Sequence, residues 1–298
     1  MPDYHRPLRF GSFITPVNTP PHRAVDLAKI SESEGLDLVT FQDHPYRSSF
    51  HDTWTLMTWI AAQTSRVHLS GNVLNVALRP PAVLARAAAS LDLLSGGRVA
   101  LGVGAGYFWD AVASMGGRKL PVGDAITALE ESLDIIRGLW DTTTSGALTT
   151  EGTFHAVSGA QRGPTPAHRI PIWLGAYKPR MQRLIGRKGD GWLPGLPNLQ
   201  PGDYARGNAI IDEAAVAAGR PPGQITRLLN VTERENADDL VRLALEDGVS
   251  VFILLGADEP SAIRRFAGRL APEVRHRVAE RRAELQALHA AAIEATRS

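Results

Sequence analysis

Short apolar runs separated by helical stretches recur along the whole chain, and that alternation constrains the fold more than any other feature. The runs are Leu8–Ile14, Leu36–Phe41, Val67–Val76, Val99–Val103, Ile170–Leu174, Gly191–Leu193, Thr226–Val231 and Val249–Leu255. Strand–helix alternation leads either to a doubly wound sheet or to a barrel, and eight such runs favour the barrel. Val251-Phe252-Ile253-Leu254-Leu255 is continuously apolar, as expected of a parallel strand covered on both faces.

Helical signals lie between the runs. His22–Glu34 stops at Gly35, and Pro81–Leu94 starts behind Arg79-Pro80 and ends at Ser95-Gly96-Gly97, matching the preference for proline at helix starts and glycine just past their ends. Asp124–Trp140 carries Ile126, Leu129, Leu133, Ile136 and Trp140 on one face, with Asp124 as expected N-cap. Asn236 is the expected cap of Ala237–Asp247, and Pro272–Arg297 reads as an amphipathic helix outside the barrel. Thr142–Arg169 reads as a hairpin-like insertion after the fourth strand, and Tyr107–Val122 as a long loop over the mouth. No Pro/Gly/Ser-rich linker divides the chain, so residues 1–298 are expected to form one (β/α)8 domain.

Composition removes several classes of function. The 32 Lys and Arg balance 31 Asp and Glu, a net charge of +1, which gives no long-range attraction to nucleic acid or an anionic membrane. No apolar run reaches the ~20 residues of a bilayer span. Met1–Arg9 lacks the apolar segment of a signal peptide, and there is no cysteine; a cytoplasmic location is expected.

Barrel chemistry sits where strands end, so those junctions hold the candidates. After strand two comes Gln42-Asp43-His44-Pro45. An acid beside an imidazole suits general acid/base work near neutral pH, though a turn cap and a packed ring account for the pair equally. His51-Asp52 raises a metal site, but no third ligand stands at useful spacing. Strand three is interrupted by Ser70-Gly71-Asn72, the mark of a bulge, made either for curvature or for a close ligand. Strand four ends in Gly102-Val103-Gly104-Ala105-Gly106-Tyr107. Such glycines bring backbone N–H groups to a phosphate, but Tyr107 stands where a dinucleotide fingerprint needs glycine. Strand five ends in Gly175-Ala176-Tyr177-Lys178-Pro179-Arg180, ahead of a helix containing Arg183, Arg187 and Lys188. That start is an anion site or a solvated basic face. Phe13, Trp109 and Trp192 are aromatics that either wall a ligand or pack in the core.

Taken together, Asp43-His44, Ser70-Gly71-Asn72-Val73, Leu94-Ser95-Gly96-Gly97-Arg98 running into Gly102–Gly106, Gly175–Pro179 and Asp190-Gly191-Trp192-Leu193 resemble the bacterial luciferase-like flavin-dependent oxidoreductases, over roughly Leu8 to Leu255. The resemblance implies a TIM barrel, commonly a homodimer, acting on a small molecule with a flavin-type cofactor. Gly175-Ala176 with Pro179-Arg180-Met181, followed by Asp190-Gly191-Trp192, resembles the branch that uses the 5-deazaflavin coenzyme F420; FMN with a monooxygenase reaction is the alternative. It further implies that Asp43 and His44 lie beside the ring, His44 handling a proton with Asp43 tuning it. A cis peptide behind the ring is implied in the Ser70-Gly71-Asn72 bulge, and phosphate contacts at Gly104, Ala105, Gly106 and Tyr107 and at Gly175, Ala176 and Tyr177. The segment after strand seven, Thr232–Glu235, is shorter than the lid of many relatives and suggests an open mouth. A binding barrel without turnover and a zinc hydrolase are the readings outside this class.

Overall fold

Parallel pairing joins every one of those apolar runs. The computed structural model describes residues 3–297. In chain order the strands are β1 (Arg9–Ile14), β2 (Leu38–Phe41), β3 (His68–Gly71), β4 (Leu74–Asn75), β5 (Leu101–Gly104), β6 (Leu148–Thr150), β7 (Val157–Ala160), β8 (Ile172–Leu174), β9 (Gly191–Trp192), β10 (Thr226–Val231) and β11 (Val251–Leu255). Nine form one sheet in the order β3-β2-β1-β11-β10-β9-β8-β5-β4. Because β3 and β4 are two pieces of one strand broken at Asn72-Val73, the ends of that order meet. A bridge from Leu69 to Val99 seals the seam, and the result is a TIM barrel of eight parallel staves.

Two apolar layers follow from this geometry. Leu38, Ala100, Trp173, Leu193, Leu228, Val251 and Ile253 fill the inside of the barrel, with Phe13 and Val73 partly exposed against them. The much larger outer layer lies between strands and helices. Removing side chains such as Phe252, Leu254, Leu69 and Ile172 from water, at ~25 cal/mol per Å², is the main drive for closure.

The Leu94–Arg98 run turns out to be a structural clamp. Arg98 is buried and donates to the carbonyls of Ser95, Ala61, Thr64 and Val67 at 2.7–3.1 Å. Those carbonyls close the turns between a helix and the next strand, so one guanidinium satisfies several groups that would otherwise be buried unpaired. Asp190 acts similarly, joining Arg137 and Arg169 to the start of β8 through the Ile172 amide.

Several expectations need correction. Asp124 lies in the first turn of the helix Val122–Trp140, whose N-cap position is Pro121; proline starts this helix without a side-chain cap. Tyr107–Val122 carries a short helix, Trp109–Ser114. Helices Thr53–Ala61 and Asp203–Ala217 fill intervals that showed no clear end signals. Asn236 does cap Ala237–Glu246, in a reciprocal box with Asp239. An antiparallel hairpin, β6 with β7, stands between the fourth and fifth staves.

Gly102 is where the two edges of the seam come closest. A Cβ there would stand 2.0 Å from the Gly71 carbonyl and 2.9 Å from Ser70 Oγ. The first obstacle is backbone, which has no rotamer to escape into. Gly102→Ala is therefore expected to destabilise by about 1–3 kcal/mol, read as a lower urea midpoint. An unchanged midpoint would mean that the seam has slack.

Candidate active site

The C-terminal ends of the strands gather the expected residues into one mouth, but not all of them face it. His44 follows β2 on a turn closed by the Arg47 amide donating to its carbonyl. Its ring is half-buried. Nδ1 lies 2.5 Å from the Tyr46 hydroxyl, and Phe108 meets the ring edge-on at 5.4 Å, with Phe50 at 6.5 Å. Burial pushes the imidazole pKa below its ordinary value; Arg47 adds to that and Asp43 opposes it. His44 is thus neutral near pH 7, with one nitrogen able to donate and one able to accept.

Asp43 does not touch the imidazole. Its side chain is fully buried and carries a bidentate pair with Arg79, at 2.9 and 2.8 Å, plus the Asn75 amide at 3.0 Å. Arg79 reaches on to Asp52 at 2.7 Å. The carboxylate acts on the ring only through space, and the group in contact with Nδ1 is the Tyr46 hydroxyl. Asp43 anchors the segment after the β4 end to the β2 end. Charged partners within hydrogen-bond reach outcompete a neutral imidazole for a buried carboxylate. His51 and Asp52 also have structural partners: His51 Nε2 meets the Pro21 carbonyl, and Asp52 caps the helix Thr53–Ala61.

The strand-three interruption divides in two. Ser70 acts as a brace: its buried hydroxyl donates to the Gly71 carbonyl and accepts from the Gly102 amide, which commits its one proton within the barrel wall. Gly71 is buried too, its Cα face against Leu74. Asn72 faces the mouth. Its amide donates to Asn230 Oδ1 at 2.7 Å and to Thr40 Oγ1 at 3.2 Å, while Asn230 also donates to the Pro194 carbonyl. The Asn72–Val73 peptide is cis. Asn230 and Thr40 escaped the sequence reading. Asn230 was visible as one polar side chain in the apolar strand Leu228-Leu229-Asn230-Val231, but its partner is 158 residues away.

The two glycine segments are neighbours, because β5 and β8 are adjacent and the Gly175 amide donates to the Val103 carbonyl. Val73 lies between them: a Cβ on Gly104 would meet its methyl at 2.7 Å, and one on Gly175 at 3.5 Å. Gly106 has φ +98°, a conformation that favours glycine. Ala105 is half-buried and Tyr107 is largely exposed. Ala176 is buried, its carbonyl occupied by Trp192 Nε1. The Tyr177 hydroxyl accepts from the Gly195 amide and Asn198. Helix Pro179–Lys188 opens directly behind. Trp192 is core, stacked on Tyr204 at 4.4 Å, whereas Phe13 remains partly exposed on the barrel floor. Trp109 packs beside Gly106. Thr232–Glu235 is a tight turn held by Glu235 accepting from the Thr232 amide and hydroxyl. A separate groove of about 970 Å³ lies alongside, lined by Leu196, Tyr204, Arg242 and Glu246 among others, and includes none of the expected site residues.

A neutral half-buried histidine, an apolar floor of Phe13 and Val73 and a pair of carboxamides thus share the strand-end face of a barrel. The family described as luciferase-like monooxygenase matches residues 8–295. The protein belongs to this family and is an oxidoreductase of it. An F420-dependent glucose-6-phosphate dehydrogenase of Kineococcus radiotolerans is 32% identical over 240 residues, covering 78% of this chain and 69% of that protein. Another from Nakamurella multipartita is 29% identical over 278 residues, covering 89% and 80%. Among solved structures, an F420-dependent secondary alcohol dehydrogenase with an F420–acetone adduct superposes with a TM-score of 0.78 at 18% identity, covering 90% of this chain and 99% of that one. Among the described residues, no helix is long and apolar enough to cross a membrane.

Proposed function

We propose that the protein transfers hydride between coenzyme F420 and a small organic substrate in the barrel mouth, with His44 as the proton-handling group. The observation that carries this reading is the placement of His44. It is held neutral, half-buried among Tyr46, Phe50 and Phe108, and no protein group meets Nε2 among the described residues. That nitrogen is not sealed from solvent. The named relatives support the choice of coenzyme.

The residues present fit a flat tricyclic ring bearing a phosphorylated tail. Phe13 and Val73 offer an apolar floor, and the Asn72–Asn230 carboxamides offer a donor and an acceptor at its edge. Backbone at Gly104–Tyr107 and Gly175–Tyr177, with the start of the helix Pro179–Lys188, suits the phosphate. When bound, the coenzyme supplies the carbon that carries hydride. The chain's own part is to exclude water, orient the substrate and exchange one proton at His44 Nε2. Assembly as a homodimer in the cytoplasm belongs to the same proposal, and light scattering on the eluting peak measures the first.

Titrating the purified protein with F420 and with FMN, followed by fluorescence, tests the coenzyme. Tighter F420 binding is expected. Tighter FMN binding, or a protein purified yellow with an FMN spectrum, would replace the proposal with the monooxygenase reading.

A further inference from the structure

The Tyr46 hydroxyl, and not the Asp43 carboxylate, lies on Nδ1 of His44. The contact is 2.5 Å long, and the two rings are 5.4 Å apart and tilted. A contact this short between a phenol and an imidazole nitrogen requires one proton between them, and the chemistry decides its owner. The unprotonated nitrogen of a neutral imidazole is a strong acceptor, while a phenol oxygen is a weak acceptor and a good donor. The hydroxyl has no other partner among the described residues.

Burial raises the Tyr46 pKa from its ordinary value, with Arg47 opposing and Asp43 adding. The same burial keeps His44 neutral. The charged groups that act on the pair are therefore Arg47 from the same loop and Asp43, which Arg79 pairs. The segment packed against the ring from the opposite side contributes aromatic groups, Phe108 with Tyr107 beside it.

We infer that Tyr46 is a positioning residue: it donates its phenol proton to His44 Nδ1 and so holds the imidazole in the Nε2–H tautomer. The nitrogen left for a bound ligand is then a proton donor before any substrate arrives. This tautomer sets the better donor, the phenol, against the stronger acceptor, the imidazole nitrogen, and leaves Nε2–H for an acceptor on the ligand. The inference deepens the proposed hydride transfer and rests on it for its catalytic meaning. The tautomer itself is a property of the coenzyme-free protein.

The test is a two-bond proton–nitrogen correlation spectrum of protein labelled at its histidine rings, without coenzyme, with His44→Ala used to identify the signal. Wild type is expected to show protonated Nε2 and unprotonated Nδ1. In Tyr46→Phe the two tautomers are expected to mix. A hydrogen bond to the neutral form lowers an imidazole pKa, so its loss is expected to raise the His44 midpoint by about 0.5–1 pH unit. In turnover with F420, the same variant is expected to lower kcat several-fold with the coenzyme KM unchanged, and its pH profile to move with the His44 midpoint. A merely structural tyrosine would move neither the tautomer nor the midpoint. A wild-type His44 protonated at Nδ1, or a Tyr46→Phe spectrum and midpoint equal to wild type, overturns the inference. Failure to bind F420 would instead strike the hydride-transfer reading and leave the tautomer result standing.

Discussion

His44→Ala is expected to lower kcat by about 100- to 10,000-fold, while coenzyme affinity changes only a few-fold. General acid/base groups contribute in the transition state, where a proton is partly transferred, and much less to ground-state binding. His44 has the placement for that role. It is half-buried, neutral, and presents a nitrogen without a protein partner among the described residues. The ring also touches Phe108 and Tyr46, so the melting curve of the variant must be read beside its rate. Turnover at the wild-type rate in a folded variant would remove His44 from the mechanism. A lost rate matched by lost coenzyme binding would make it a binding residue instead.

Arg79→Met is expected to be the most destabilising single change near the site, by about 3–5 kcal/mol. The methionine keeps much of the stem's bulk but leaves Asp43 buried with only the Asn75 amide. An unpaired buried carboxylate costs far more than the pair contributes, because desolvation is no longer offset by a neighbouring charge. Asp43→Asn is the milder change, since Arg79 keeps Asp52 and the neutral amide needs no counter-charge. Adding Asp43→Asn to Arg79→Met is therefore expected to recover a large part of the loss, a coupling that urea unfolding of the four proteins measures. Additive effects would mean that the pair is not the partner of either change. Because Arg79 ties Asp52 and the segment after β4 to the residue next to His44, the single variant is also expected to loosen the mouth. Arg79→Lys is not a conservative control, because a lysine cannot form the two-pronged contact.

Asp43 and Tyr46 show how far the sequence reading of the site reached. The sequence reading places Asp43 and His44 at the end of β2 and marks His44 as the group with chemistry, but it does not single out Tyr46. It does not say which neighbour touches the ring. Asp43, adjacent in the chain, turns its carboxylate away to an arginine 36 residues on, while Tyr46, two residues along, closes the contact. Ser70 and Asn72 divide in the same way. They are two residues apart, yet one hydroxyl is consumed by the β5 seam and one carboxamide faces the mouth. The break at Asn72-Val73 separates their directions; the residue types mark the interruption of the strand but not which side chain it turns inward. The Leu94–Arg98 run, the most specific part of the family resemblance, holds helix turns and the next strand together through Arg98.

The sequence by itself determined the alternation of strands and helices, the caps at Gly35 and Asn236, and the glycine-rich strand ends. These are short-range properties, set by side-chain periodicity and by the conformations glycine and asparagine adopt within a few residues. Only the tertiary structure decided which polar groups meet. Closing the barrel brings Asn72 to Asn230 and Arg79 to Asp43, and a buried polar group takes whichever partner the closed backbone delivers within 3 Å. His44 owes its place at the mouth to the first kind of information, and its neutral ring and its hold on Tyr46 to the second.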